Sequence, residues 1–342
     1  MKQFTRPVPV CFAMLTVLIF CAVTPVYAQP KKPVVLKIAS LVPEATPWGA
    51  ALNQMSDEWR TITGGAVELR IYHNGILGDE ADEVRKLRLN EIQGAVITSF
   101  GLNALTPEIM TLSSPFLIRN EQELDLVLEN LKPELEAKID EKGFFTLAWS
   151  KVGWVKIFSR NPVFVPADLK RQKVATSPDE PQLMQAFKAM GYQMVPTGNN
   201  DMVIALSGGM VDALYQSPVL VGSLQLFGTA KYMLSMNLAP AMGGIVLNRT
   251  AWRAVPAQYK ERLVQSSRKI GADMDIAIQR LETEALNTML RYGLVENRPT
   301  AQQEALWYAD AEASMPSLLG TTFDRNTFNK IDALLKAHRS RR

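Results

Sequence analysis

Cysteine is almost missing from this chain of 342 residues: Cys11 and Cys21 are the only two. Both fall in an apolar N-terminal run, so the remainder can build neither a disulfide framework nor a thiolate site. Histidine is as scarce. His73 and His338 stand alone, without a metal-ligating partner three or four residues away. There is no G-x-S-x-G nucleophile motif, and "GGAVELR" and "SGGMVD" lack the lysine and glycine spacing of a phosphate loop. These absences argue against an enzyme, and no cofactor or metal is expected. Charge of one sign is missing too. Lys and Arg number 37 against 34 Asp and Glu, and without Lys2 and Arg6 the net charge is +1. Such a balance gives no case for a nucleic-acid partner. The acidic run Asp79, Glu80, Asp82 and Glu83 reads as a solvated helix face. The closing "HRSRR", within a segment taken as 331–342, reads as a frayed basic tail.

The one long apolar stretch, residues 9–23, follows Lys2 and Arg6 and precedes "VYA" at 26–28, with small residues at the −3 and −1 positions of a cleavage site. Residues 1–28 are therefore expected to be a secretory signal peptide cut after Ala28, too short in its apolar part for a comfortable membrane span. The expected location is the periplasm. An exported chain without disulfides depends on core packing, and the remaining residues are numerous enough to supply it.

What is present is an alternation of strand and helix patterns. Val34–Ala39 reads as a short buried strand. Thr46 can cap a helix with Pro47 in its first turn, Trp48, Ala51, Leu52, Met55, Trp59 and Ile62 follow at helical spacing, and Gly64-Gly65 stop it. Strands are expected at 67–72 and 94–98, with a helix over 79–89 between them. A helical stretch over 121–139 is expected to break at Pro133, and separate strands to run at 145–149 and 154–158. Strands near 173–176, 192–195, 211–215 and 242–248 alternate with helices near 181–190 and 200–207. This βαβ grammar implies parallel sheets covered by helices. From Pro256 to Arg291 no proline intervenes and Gly271 is the only weak point, so a helix of roughly 50 Å is expected to lie across two lobes. The expected architecture is α/β with two lobes, a ligand cleft at the strand ends between them, and hinge crossings near 150 and 240. Lobe I takes 29–152 plus about 240–275, and lobe II takes 153–239 plus about 276–330.

Several longer words support this. "IASLVPEATPWGAAL", "EWRTITGGAVELRIYHNGILGDEADEVRKLRLNEIQGAVITS", "LTPEIMTLSSPFL", "ADLKRQKVAT", "ALSGGMVDALYQSP" and "NRTAWRAVPAQYKERL" occur in order over about 35–310. They resemble the DctP-type substrate-binding proteins of TRAP transporters. The resemblance implies a periplasmic Venus-flytrap protein. It would close on a small molecule and deliver it to a membrane permease driven by an ion gradient. The other readings are a carrier of apolar ligands, or a sensor, not coupled to TRAP transport. No sequence feature fixes an oligomeric state.

One departure matters. Many members of that family read D-L-K-G-L-K-I-R-V where this chain has Asp168 to Thr176, and the family arginine, which would fork onto a substrate carboxylate, is here Ala175. Arg171 is expected in solvent, and Lys156 on the strand face away from the gap. Arg119 or Arg160 could replace the missing group. The cleft walls are expected to be apolar and aromatic, drawn from Trp48, Phe100, Phe116, Trp149, Trp154, Met184, Phe187 and Tyr215 around Ala175. Thr98, Ser99, Thr176, Asn199, Asn200 and Gln216 are the candidate polar contacts. The expected ligand is uncharged or largely apolar; the alternative is an ordinary organic acid held by a different arginine.

Overall fold

The computed structural model describes residues 32–178, 181–198 and 201–341. The expected signal peptide, its cleavage site, Asn199 and Asn200 lie outside the described residues. Two βα units begin the fold. The strand β1 (Val34–Ser40) leads into helix α1 (Pro47–Thr63), whose cap Thr46 accepts from the Gly49 N–H and whose end is Gly64 in the left-handed region, φ 59°. Strand β2 (Val67–Tyr72), helix α2 (Glu80–Arg88) and strand β3 (Gly94–Thr98) follow. Both β2 and β3 pair with β1 in parallel. Helix α3 (Ser99–Leu105) starts where β3 stops, and a 3₁₀ turn at Pro107–Ser113 leads to α4 (Glu121–Glu141).

Helix α4 does not break at Pro133. The proline lies on the exposed face, where water can take the carbonyl that its missing N–H leaves free. The two short strands expected next are one long strand, β4 (Phe144–Ser159). It pairs antiparallel with β9 (Ala239–Asn248) along its first part and with β7 (Ala213–Gln216) along its last four residues.

Those pairings divide the strands into two sheets joined through β4. The first runs β2-β1-β3-β9-β4. The second runs β4-β7-β5-β6, where β5 is Lys173–Thr176 and β6 is Gln193–Pro196, both parallel to the β7 direction. Short strands β8 (Tyr232–Leu234) and β10 (Val295–Asn297) flank β4 on the second side. The helices of the second sheet are α5 (Pro166–Lys170), α6 (Pro181–Ala189), α7 (Met202–Ser207) and α8 (Pro218–Ser223). A short α9 (Arg249–Ala254) precedes α10 (Ala257–Arg291), and α11 (Ala301–Leu318) and α12 (Arg325–Arg339) end the chain.

Helix α10 is unbroken over 35 residues. Ser267 accepts from Trp59 Nε1 at 2.9 Å on the first lobe, and Ala285 and Met289 lie against Gly222 of α8 on the second. It therefore spans both lobes. Gly271 serves close packing: a Cβ there would stand 3.1 Å from the Trp149 carbonyl oxygen and 3.6 Å from Ala148 Cβ. Gly271→Val is expected to cost about 1–3 kcal/mol by pushing α10 off β4, read as a lower urea midpoint.

The basic tail is a correction. Asp324 caps α12 by accepting from the Thr327 N–H at 2.7 Å, and Ile331 and Leu335 are fully buried in the first lobe's core beside α4. Arg339 donates to both carboxylate oxygens of the buried Glu123 at 2.8 and 2.7 Å, and to the Leu117 carbonyl at 2.7 Å. The positive charge at this end is drawn in by a buried carboxylate.

Candidate ligand-binding cleft

The second sheet aligns Thr176 and Gln216 at the same ends of β5 and β7, and in the first sheet Thr98 ends β3. Glu80 fixes the lobe I wall. Its carboxylate accepts from the Thr98 N–H at 2.9 Å, the Thr98 hydroxyl at 3.0 Å and the Gly101 N–H at 2.8 Å. This holds the first turn of α3 to α2. Ser99 ties the same turn to β9 through its hydroxyl and the Met242 carbonyl, 3.2 Å. Phe100 then projects from α3 and packs, partly buried, against the core cluster of the second lobe. One turn on, Asn103 Nδ2 donates to Gln182 Oε1 of α6 at 2.9 Å. The two lobes touch through this pair.

The lobe II wall is aromatic. Tyr215 stacks on Phe187 with ring centroids 5.3 Å apart, and Phe187 meets Tyr192 edge-on at 5.6 Å. The Tyr215 hydroxyl lies 2.6 Å from Thr176 Oγ1. Leu183, Met184, Val155 and Tyr215 are only partly buried, as Phe100 is, and all five pack on one cluster. Gln216, opposite Lys156 in the β4–β7 register, accepts from the Ser217 N–H at 2.9 Å.

Other expected wall residues sit elsewhere. Trp149 turns to α4, where its Nε1 donates to Glu136 at 2.8 Å, and Trp154 is buried in the first lobe's core with it. Phe116, in the left-handed region at φ 57°, is 4% exposed and packs on Trp307 at 5.2 Å and on Tyr308 at 6.4 Å. It is core in the seam between the 114–120 loop and α11, not wall. Trp48 is partly buried in the first turn of α1, outside the apolar clusters. Sequence reasoning missed Glu80, which was read as solvated, and the Asn103–Gln182 pair, which no local pattern announces.

The electrostatics are distinctive. Ala175 is 1% exposed and packs among Phe158, Met202, Leu206 and Leu214. Arg160 follows the end of β4 that pairs with Ala213, the opposite end of the sheet from Thr176 and Gln216, and its Nη1 donates to the Leu206 carbonyl at 3.0 Å. The Arg119 guanidinium lies 3.4 Å over the Tyr308 ring, and burial together with Arg339 lowers its pKa. Arg171 is an exposed partner of Asp168. Lys156 lies on the same sheet face as its register partner Gln216, but its Nζ is 2.8 Å from both the Ser235 carbonyl and Asn237 Oδ1, and burial pushes its pKa down to about 8. Ala175 is apolar, Arg160, Arg171 and Lys156 are bonded elsewhere, and Arg119 lies on the Tyr308 ring with its buried Nε unpartnered. Among the described residues no group of three or more His, Cys, Asp or Glu could hold a metal ion, and no helix is long and apolar enough to cross a membrane.

A two-lobed α/β protein with strand ends facing each other across a seam is built to bind a solute. The comparisons are specific. The chain belongs to the DctP family, bacterial extracellular solute-binding protein family 7, whose model matches residues 38–319. The 2,3-diketo-L-gulonate-binding periplasmic protein YiaO of Escherichia coli is 26% identical over 65% of this chain and 68% of its own. The C4-dicarboxylate-binding periplasmic protein DctP of Rhodobacter capsulatus is 23% identical over 81% of this chain and 84% of its own. A TRAP periplasmic solute-binding protein from Roseobacter denitrificans, solved with bound β-D-glucuronate, superposes with TM-score 0.77 at 19% identity. It is matched over 87% of this chain and 99% of its own. Another from Sulfurospirillum deleyianum, solved with succinate, gives 0.75 at 21% identity, over 88% and 98%. By its family the chain is an extracellular solute-binding protein rather than an enzyme, and the solved proteins whose fold it shares are TRAP periplasmic solute-binding proteins.

Proposed function

We propose that this protein captures an uncharged or largely apolar small molecule between its lobes in the periplasm, after removal of residues 1–28, and hands it to a TRAP permease. The division into 29–152 with about 240–275, and 153–239 with about 276–330, describes the two moving bodies. Ligand contacts both bodies only when they close, so binding favours the closed form. The observation that carries the ligand class is the methyl at Ala175, 1% exposed in an apolar cluster, with Arg160, Arg171 and Lys156 bonded elsewhere and Arg119 stacked on Tyr308. A carboxylate buried without its cationic partner would bear a cost of roughly 2–5 kcal/mol, whereas apolar surface gains about 25 cal/mol per Å² removed from water. The proposed contacts are the partly buried Phe100, Met184 and Tyr215 for the apolar body, with Phe187 packed behind Tyr215, and Thr98, Thr176, Gln216, Asn199 and Asn200 for a small polar end.

The second reading, an organic acid, is favoured by the acids held in the solved relatives, glucuronate and succinate among them. Titration calorimetry with succinate, L-malate and D-glucuronate, beside native mass spectrometry of the purified protein, separates the two. The expected result is no heat with the acids and a neutral or apolar molecule released on denaturation. Micromolar or tighter binding of any of the three acids overturns the proposal in favour of the second reading.

A further inference from the structure

Where β4 leaves the first sheet for the second, its pairing with β9 shifts register between Lys151 and Gly153. On the near side of this shift Lys151 is anchored to the first lobe, its Nζ meeting Glu121 at 3.2 Å and Asp125 at 2.5 Å on α4. On the far side Lys156 is anchored to the loop after β8 through the Ser235 carbonyl and Asn237. The stretch between the two lysines is therefore where one lobe can turn against the other.

Helix α10 grips this stretch by its backbone. Asp275 Oδ1 accepts from the Lys151 N–H at 2.8 Å and lies 3.3 Å from the Ser150 hydroxyl. Glu282 Oε1 accepts from the Trp154 N–H at 2.7 Å. Gly153, at φ +112°, leaves room for that carboxylate: a Cβ there would come within 2.4 Å of Glu282 Oε1. The spacings match. Seven helical residues rise roughly 10.5 Å, and three strand residues extend roughly 10 Å. The two carboxylates thus reach N–H groups three residues apart on a strand crossing beneath the helix. A change in lobe angle that bends β4 between Lys151 and Trp154 must lengthen one of these bonds.

We infer that Asp275 and Glu282 are positioning residues for ligand capture: by clamping the β4 crossing to α10 they set the resting angle between the lobes. The clamp acts through the backbone and does not touch the ligand. It would hold whatever the ligand proves to be.

The test is an interlobe distance. Cys11 and Cys21 are the only native cysteines. Both lie in the 1–28 segment proposed to be removed, so in the mature chain nitroxides on Thr61→Cys and Lys188→Cys, at exposed positions of α1 and α6, report the lobe angle by pulsed electron resonance without competing native thiols. The protein is unfolded, dialysed and refolded to remove any carried ligand. Glu282→Ala and Asp275→Ala should each move the main distance or broaden its distribution about twofold, and the double variant should do so more strongly. Glu282→Gln, which keeps an acceptor for the Trp154 N–H, should restore the native distribution. A merely structural role would lower the melting temperature and leave the distance in the folded protein unchanged; that outcome overturns the inference. Should Glu282→Ala not fold, Asp275→Ala and Gly153→Ala, whose methyl displaces the Glu282 carboxylate, read the same distance, and an unchanged distribution in both overturns it equally.

Discussion

Replacing Glu123 with alanine is expected to destabilise the protein by about 3–5 kcal/mol, because it strands buried positive charge. Glu123 is 3% exposed. It accepts two bonds from Arg339 and one, at 2.9 Å, from the backbone N–H of Arg119. Without it, Arg119 and Arg339 face each other across a half-buried seam, and Arg119 already feels Arg339 as a repulsive neighbour. The pH dependence has a definite sign. Burial alone would raise the Glu123 carboxyl, but the Arg339 hydrogen bonds and the Arg119 N–H outweigh it and hold the pKa below the usual range. A depressed carboxylate contributes stability above its unfolded pKa and loses it as pH falls through the folded one. The native protein should therefore lose this contribution on acidification, and Glu123→Ala should have less to lose. Urea unfolding of Glu123→Ala, Arg339→Ala and the double variant at pH 7 and pH 4 measures it. The double variant should cost less than the sum of the singles. A Glu123→Ala midpoint equal to the native one would show that the seam carries no energy.

The first lobe's βα units were legible because their signals are local. Thr46, Pro47 and the Gly64-Gly65 stop mark α1 in consecutive residues, and the apolar period through Trp59 marks its buried face. The proline-free run before Arg291 likewise announced α10. Phe100 and Tyr215 were expected near the seam because strand ends deliver side chains there, and both lie partly buried on the second lobe's core cluster. What escaped depends on contacts between distant segments. Phe116 reads as cleft wall until α11 is seen to supply Trp307 and Tyr308, nearly two hundred residues on. The C-terminal segment reads as a tail until Glu123 is known to be buried where Arg339 can reach it. The continuity of β4 was hidden because Lys151, Gly153 and Lys156 look like loop chemistry. Asp275 and Glu282, on a helix far along the chain, are what satisfy the backbone there.

The acidic run at the start of α2 was misread in the same way, and it yields the second large prediction. Asp79, Glu80 and Asp82 cap helices or pair locally, but Glu83 is fully buried and neither of its carboxylate oxygens has a hydrogen-bond partner. Burial, and then the nearby Glu80 and Asp79, push its pKa up to about 8 against the weaker pull of Lys86. The neighbouring β3 and α3, residues 94–105, contribute no titratable side chain. A carboxyl whose folded pKa is raised favours the folded state fully below its unfolded pKa, and that advantage drains away as pH rises towards the folded value. Native stability should thus fall between about pH 4.5 and 8 through this one group. Glu83→Leu, close in volume and without polar atoms to leave unpaired, is expected to gain about 2–4 kcal/mol at pH 8. The gain should shrink at pH 5, where native Glu83 is already neutral. Urea midpoints of the two proteins across pH 5 to 8.5 test this, and a gap that stays constant with pH would show that titration of Glu83 is not its source. Natural chains keep such a strained group where function needs it. The face of α2 that carries Glu83 also carries Glu80, which holds the first turn of α3, the turn that carries Phe100, a proposed ligand contact. A Glu83→Leu protein that is more stable and binds its solute less well would place the buried carboxyl in service of that turn.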